Sequence, residues 1–216
     1  MSVSLPNGSL VHIASGIGSV LTVSAVTNAN PAVATSTAHG MSNGDYIELF
    51  SGWSRLNNRV FRIANVAANT FELEGVNTTS TTVYPAAGGT GTAYKITGWT
   101  QLQQILGVSS SGGDQQFATY QFLEDDAETR IPTVKAAAGL EFEVADDPSL
   151  TGYILAATAN DDRVPRAIKL TTASSAKTFY YAYVGVNKTP SMNVNQPSQV
   201  KVTMSFVNPE PTRYST

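Results

Sequence analysis

Residues 132–160, PTVKAAAGLEFEVADDPSLTGYILAATAN, run one alternating strand directly into one amphipathic helix. Leu140, Phe142 and Val144 alternate with Glu141 and Glu143, and a side-chain period of two puts three apolar groups on one face and two carboxylates on the other. Such a strand is half-buried. Asp147 suits an N-cap, since its carboxylate can accept from the free N–H groups of a first turn, and Pro148 at the first helical position gives up an N–H that has no partner there. Leu150, Tyr153, Ile154 and Ala157 follow at i, i+3, i+4 and i+7, so a helix over about 147–160 has one stripe to lay on a sheet. It is the only long helix expected.

The chain has 216 residues, enough for one all-β domain or two small ones with a full core. No stretch approaches the roughly 18 to 20 apolar residues of a membrane-spanning helix, and the first ten residues lack the basic and apolar regions of a signal peptide. The expectation is a soluble product of the cytoplasm with no membrane partner. Without cysteine there is no disulfide, no thiolate nucleophile and no Cys-based zinc site. His12 and His39 stand far apart, and no acidic calcium-loop pattern occurs. No metal, cofactor or catalytic residue is therefore assigned. Charged residues make up 13% against about 25% in an average globular protein, and the net charge is only −3. That sparsely charged surface suits a subunit packed against copies of itself.

A turn at Pro6, Asn7 and Gly8 opens the chain, and two β-branched runs, LVHI and VLTVSAV, follow on either side of SGIGS. The glycines there complete no phosphate-binding pattern and are read as a hairpin turn. Residues 27–97 read as a separate small β unit: AVAT, YIELF, VFRIANV, TFELEG and AYKI are divided by turn-rich segments. Pro31, Val33, Thr35, His39-Gly40, Asn43-Gly44-Asp45, Leu56-Asn57 and the closing Asn69-Thr70-Phe71-Glu72-Leu73 carry a resemblance. This unit is similar to the small β module that phage structural proteins share with the first catalytic-cysteine half-domain of ubiquitin-activating enzymes. The likeness implies a barrel-like fold, not ubiquitin chemistry, for the chain has no cysteine. His39 is read as a ring bonded to the backbone of its turn in preference to half of an acid/base pair. Trp53 and Tyr84 could stack on a sugar, but no amide or carboxylate cluster surrounds them and turn packing is preferred.

After Gly98 comes GWTQLQQILGV, read as a strand, then SSSGGDQQ, a Ser/Gly stretch of flexible-loop type. Phe117, Tyr120, Phe122 and Leu123 precede an acidic group of Glu124, Asp125, Asp126 and Glu128, read as a solvated hairpin tip in preference to a cation or acid/base site. Beyond the helix, AIKL forms a strand, and Ser174 to Lys177 matches S-x-x-K only by chance, in a polar turn with no partner motif. FYYAYVGV is apolar on both faces, as a central strand requires. QVKVTMSFV alternates Val200, Val202, Met204 and Phe206 inward with Lys201, Thr203 and Ser205 outward. The Pro-rich tail NPEPTRYST is read as extended or loose.

Taken in order, residues 98–207 resemble the major tail tube proteins of long, flexible-tailed, siphovirus-like phages. The Trp99 strand, the long loop ending in Ile131-Pro132, the strand and helix at Asp147-Pro148, the strand from Arg166 to Leu170, the aromatic strand and the late V-x-V-x-M-x-F strand carry it. The resemblance implies a β-sandwich with a flanking helix, made of 1–26 and 98–216, with 27–97 inserted and held outside a tube. It implies a non-enzymatic virion protein, six copies per ring, stacked rings, other tail proteins at the tube ends, and a bore through which genomic DNA is ejected. The same sandwich also serves tubes of bacterial contractile systems. The loop 107–132 is then an arm to the next ring, with Phe117, Tyr120 and Phe122 as anchors. Carboxylates facing the bore would repel DNA phosphates, and Glu141 and Glu143 are as eligible as Glu124, Asp125, Asp126 and Glu128. The alternative is a tail-tip or decoration protein that displays Trp53 and Tyr84 to a glycan.

Overall fold

The computed structural model describes residues 7–215. Its strands are β1 (Leu10–Val23), β2 (Ala25–Val26), β3 (Ala32–Thr35), β4 (Tyr46–Ser51), β5 (Arg59–Ala64), β6 (Thr70–Leu73), β7 (Gly91–Leu102), β8 (Ile105–Gly112), β9 (Gln115–Tyr120), β10 (Thr129–Lys135) and β11 (Ala138–Ala145). After the helix α1 (Thr151–Asp162) come β12 (Arg166–Thr171), β13 (Lys177–Ser191), β14 (Gln199–Phe206) and β15 (Thr212–Tyr214). Thirteen strands form one curled sheet in the order β2-β3-β6-β5-β4-β7-β1-β12-β13-β14-β11-β8, with β15 paired to β13, and β9 and β10 stand apart as a two-stranded ribbon. The protein is mostly β with one helix, as its patterning predicts.

Two long strands tie the sheet together. The expected hairpin at SGIGS does not form. β1 runs through it and stays antiparallel to β7 from Val11↔Leu102 to Val23↔Gly91, and Gly16, Gly18 and their neighbours absorb register shifts as bulges. LVHI pairs onward with β12, while the far end of β7 pairs with β4. Asn7 and Gly8 form the opening turn, with Gly8 at φ 84°; Pro6 lies outside the described residues.

Alternation decides where the core lies. One cluster gathers Val23, Ile47, Leu49, Phe61, Ile63, Phe71 and Leu73 between the strands of residues 27–97. A second gathers Ile13, Leu102, Phe142, Val144, Ile168, Val200, Val202 and Met204 beneath α1. Between them lies an aromatic seam of Phe179, Tyr181 and Tyr214, with Tyr46, Phe50 and Trp99 against it. β13 feeds both of the latter, Ala182 and Val184 on one face and Phe179 and Tyr181 on the other, which is why its sequence is apolar on both sides.

The helix starts later than its sequence suggests and presents a different stripe. The Asp147 carboxylate accepts from Ser149 N at 3.1 Å and Ser149 Oγ at 2.6 Å, an Asx turn that engages the intended cap two residues on. Leu150 occupies the N-cap position without a side-chain cap. The buried face is Gly152, Ala156 and Ala159, while Ile154 is half-exposed. Small residues win because α1 lies almost in contact with β7: a Cβ on Gly152 would sit 2.2 Å from the Gln101 carbonyl oxygen.

Of the two readings of the tail, extended or loose, the described residues take the first. β15 pairs with the start of β13, and Tyr214 is buried in the seam.

Candidate functional site: a polar sheet face and a projecting arm

The Ser/Gly stretch read as a flexible loop is the edge strand β8, paired with β11 from Val144↔Ile105 to Ala138↔Gly112. Among the described residues no further strand pairs on its outer side. Ser and Gly fit because one face of this part of the sheet is polar apart from the half-exposed ring of Tyr183. In register across four strands lie Ser109 of β8, Glu141 of β11, Thr203 of β14 and Gly185 of β13, flanked by Gly107, Glu143, Lys201 and Asn187, and by Ser111, Gly139, Ser205 and Tyr183. The opposite face carries Phe142, Val144, Val202 and Met204 into the core under α1. Small hydroxyl and glycine positions make a smooth surface. Its charges are Glu141, Glu143 and Lys201, and Lys201 Nζ donates to Glu141 Oε1 at 2.7 Å, a pair that raises the lysine pKa.

Gly112 and Gly113, both at positive φ, turn the chain off the sheet, and Ala136 N donates to Asp114 O at the point of return. Between them β9 and β10 pair from Gln115↔Lys135 to Tyr120↔Thr129. The hairpin expected within 107–132 is thus a two-stranded arm, with nearly every residue exposed. Phe117, Phe122, Ile131 and Val134 are more than half-open to solvent or close to it, and Leu123 is fully open. Tyr120 and Phe122 meet edge to face at 5.2 Å. Strand alternation puts Phe117 on the other face from Tyr120, opposite Pro132. The anchors read from the sequence are therefore two clusters on two faces. Ile131 and Val134 also open to solvent on the arm, and no period in the sequence singles them out. An isolated two-stranded hairpin is marginal in water, and this one exposes apolar side chains on both faces.

Glu124, Asp125, Asp126 and Glu128 lie at or beside the arm tip, all exposed, and none joins an ion pair among the described residues. They are far along the chain fold from Glu141 and Glu143, so the two acidic groups read as interchangeable belong to different surfaces. At the arm base, Lys135 bonds to Glu210. Beside them Arg55, Arg59, Asn208 and Tyr84 line a cavity of about 640 Å³.

His39 is structural. It is buried, its Nδ1 accepts from Met41 N at 3.2 Å, and its ring meets Phe71 edge to face. Trp53 offers no face to a sugar: it is 3% exposed, its Nε1 donates to Pro85 O at 2.8 Å, and its ring packs on Tyr84. Among the described residues no three His, Asp or Glu side chains converge as a metal site, and no helix is long and apolar enough to cross a membrane.

Comparison with curated proteins finds no match. Among solved structures, the chain is similar to one from the cryo-EM structure of the anti-feeding prophage baseplate, six-fold symmetrised, at 10% identity and a TM-score of 0.37, over 55% of this chain and 85% of the other. So distant a likeness carries no argument about function. A family description, phage tail tube protein, matches residues 51–216, which takes in the polar face, the arm and the helix. The family is structural and not enzymatic, and the chain belongs to the phage tail tube protein family.

Proposed function

We propose that copies of this chain close head to tail into rings of six, and that the rings stack into the tail tube of a siphovirus-like phage, the conduit for DNA ejection. The single observation that carries this reading is the arm. A hairpin with Phe117, Tyr120, Phe122, Leu123 and Ile131 all open to solvent has no core of its own and is completed only by another subunit. The arm reaches the neighbouring ring and buries both of its faces there. Closure of a ring removes the free edge of β8, with Leu106 and Val108 exposed beside it.

The polar face of β8, β11, β14 and β13 lines the bore. Its small side chains leave little for DNA to grip, and Glu143, with Glu141 partly offset by Lys201, repels phosphates so that the genome slides without specific binding. Residues 1–26 and 98–216 form the tube domain. Residues 27–97, which supply most of one hydrophobic cluster that Val23 and Val26 complete, form the inserted unit that resembles the ubiquitin-activating half-domain, and it sits outside the tube. Other tail proteins cap the ends, and assembly takes place in the host cytoplasm. The glycan-binding alternative loses its platform with Trp53 buried.

Negative-stain electron microscopy of the purified protein at rising concentration tests the reading. Rings or tubes of one diameter are expected. Deletion of residues 114–135, which joins Gly113 to Ala136 and leaves β8 whole, should leave species that no longer stack. A protein that stays monomeric at every concentration overturns the proposal.

A further inference from the structure

We propose that the cavity at the base of the arm is the receptor for the acidic arm tip of a second copy of this chain; the inference rests on the stacking role of the arm and names where it lands. The cavity is cationic. Arg55, Arg59 and Lys135 face it, and among the described residues Glu210 is the one carboxylate in its wall. Arg59 spends its hydrogen bonds on neutral acceptors: Nη1 donates to Arg55 O, and Nη2 to Pro211 O and Thr212 Oγ1. Its Nε is buried and has no hydrogen-bond partner among the described residues. With three cations facing one carboxylate, the cavity keeps a net positive charge, which favours an incoming anion. Glu210 already reports the field: Lys135 first, then Arg59 and Arg55, hold its carboxyl below the usual range.

The tip has the complementary character. Glu124, Asp125, Asp126 and Glu128 are exposed and unpaired by any cation among the described residues, and Leu123 beside them is fully exposed. The two features cannot meet within one molecule. The ribbon runs from Gln115↔Lys135 at the cavity to Tyr120↔Thr129, about 17 Å at about 3.4 Å per residue, and the acidic turn lies beyond that. A paired ribbon does not fold back on its own base. The tip must therefore find the cavity of another subunit, and repetition of that contact is heterologous and propagates along an axis.

Absence of cysteine makes the test clean. Under mild oxidation of assembled protein, D126C/R55C should yield a ladder of covalent oligomers, and an equimolar mixture of the two single variants should yield a covalent dimer. D126C/T158C, with the second site on the exposed face of the helix, should yield neither. Charge reversal adds an independent reading: R55E and D125K/D126K should each raise the protein concentration needed for assembly at least tenfold, and the three changes together should restore it. If tubes form and lose stacking on arm deletion, yet D126C/R55C gives no ladder or D126C prefers T158C, the receptor assignment is overturned and the stacking role stands. Failure of the unmodified chain to assemble, or tubes that survive arm deletion, overturns both.

Discussion

The hydroxyl of Tyr214, near the C-terminus, accepts a hydrogen bond from the backbone N of Arg62 at 2.8 Å, and the Arg62 guanidinium lies over the same ring, 4.6 Å from its centroid. One side chain thus fastens the tail to β5, at the seam between two hydrophobic clusters. Burial pushes the phenol pKa up to about 12, so the hydroxyl stays protonated across the physiological range.

Replacing that hydroxyl tests the fastening. Tyr214→Phe keeps the ring in the seam and strands the Arg62 N–H, at a cost of about 1 kcal/mol. Tyr214→Ala also removes the ring from contact with Phe179 and should cost about 3 to 5 kcal/mol. Denaturant unfolding of both variants measures the difference. Equal stabilities would mean that the tail is not held by this residue.

Glu48 makes stability depend on pH in an unusual direction. Its carboxyl is buried in the seam, where desolvation raises its pKa to about 7, opposed by the hydrogen bond from Ala167 N at 3.3 Å and by the charge of Arg166. The folded pKa lies above the unfolded one, so the folded state binds the proton more tightly. The resulting stabilisation is complete below about pH 4.5, the unfolded value, and is lost as pH rises through about 7. Glu48→Gln keeps an acceptor for Ala167 and cannot ionise. It should match the parent at pH 5 and unfold at a higher temperature at pH 8, by an amount on the order of 3 kcal/mol. Identical pH profiles for the two proteins would refute this account.

Gly152→Ala should destabilise the protein even though alanine favours helix by about 1 kcal/mol. The new Cβ would lie 2.2 Å from Gln101 O and 3.0 Å from Leu102 Cα, both backbone atoms that cannot rotate away. A loss of about 1 to 3 kcal/mol is expected from overpacking. Thermal unfolding decides the sign.

Trp53→Ala should cost about 3 to 5 kcal/mol, as for a large aromatic removed from a core. Its ring is buried against Tyr84 and its N–H is bonded to Pro85 O. Unchanged stability would return Trp53 to the surface and with it the sugar-stacking alternative.

Phe122→Ser and Phe117→Ser should leave the unfolding of isolated subunits within about 0.5 kcal/mol of the parent, because both rings are exposed. Assembly seen by electron microscopy should nevertheless fail or need far more protein. Loss of subunit stability instead would mean that the rings pack on their own molecule.

Parts of the fold whose pattern is local can be read from residue order alone. Leu140, Phe142 and Val144 against Glu141 and Glu143, and Val200, Val202 and Met204 against Lys201, Thr203 and Ser205, declare their faces by a period of two, and the structure pairs these two strands directly. The apolar run of β13 announced burial on both sides, and the aromatic and acidic residues of 117–128 announced a hairpin tip. What the tertiary structure decided depends on partners distant in the chain. Gly16 bulges instead of turning because β7 is long enough to pair past it. Gly152, Ala156 and Ala159 face inward, and not Ile154, because α1 approaches β7 too closely for larger groups. Tyr214 is fixed because Arg62 N awaits it 152 residues away. The cavity joins Arg55, Lys135 and Glu210 from three separate segments. No local spacing encodes such meetings, since they arise only when a curled sheet brings remote strand ends together.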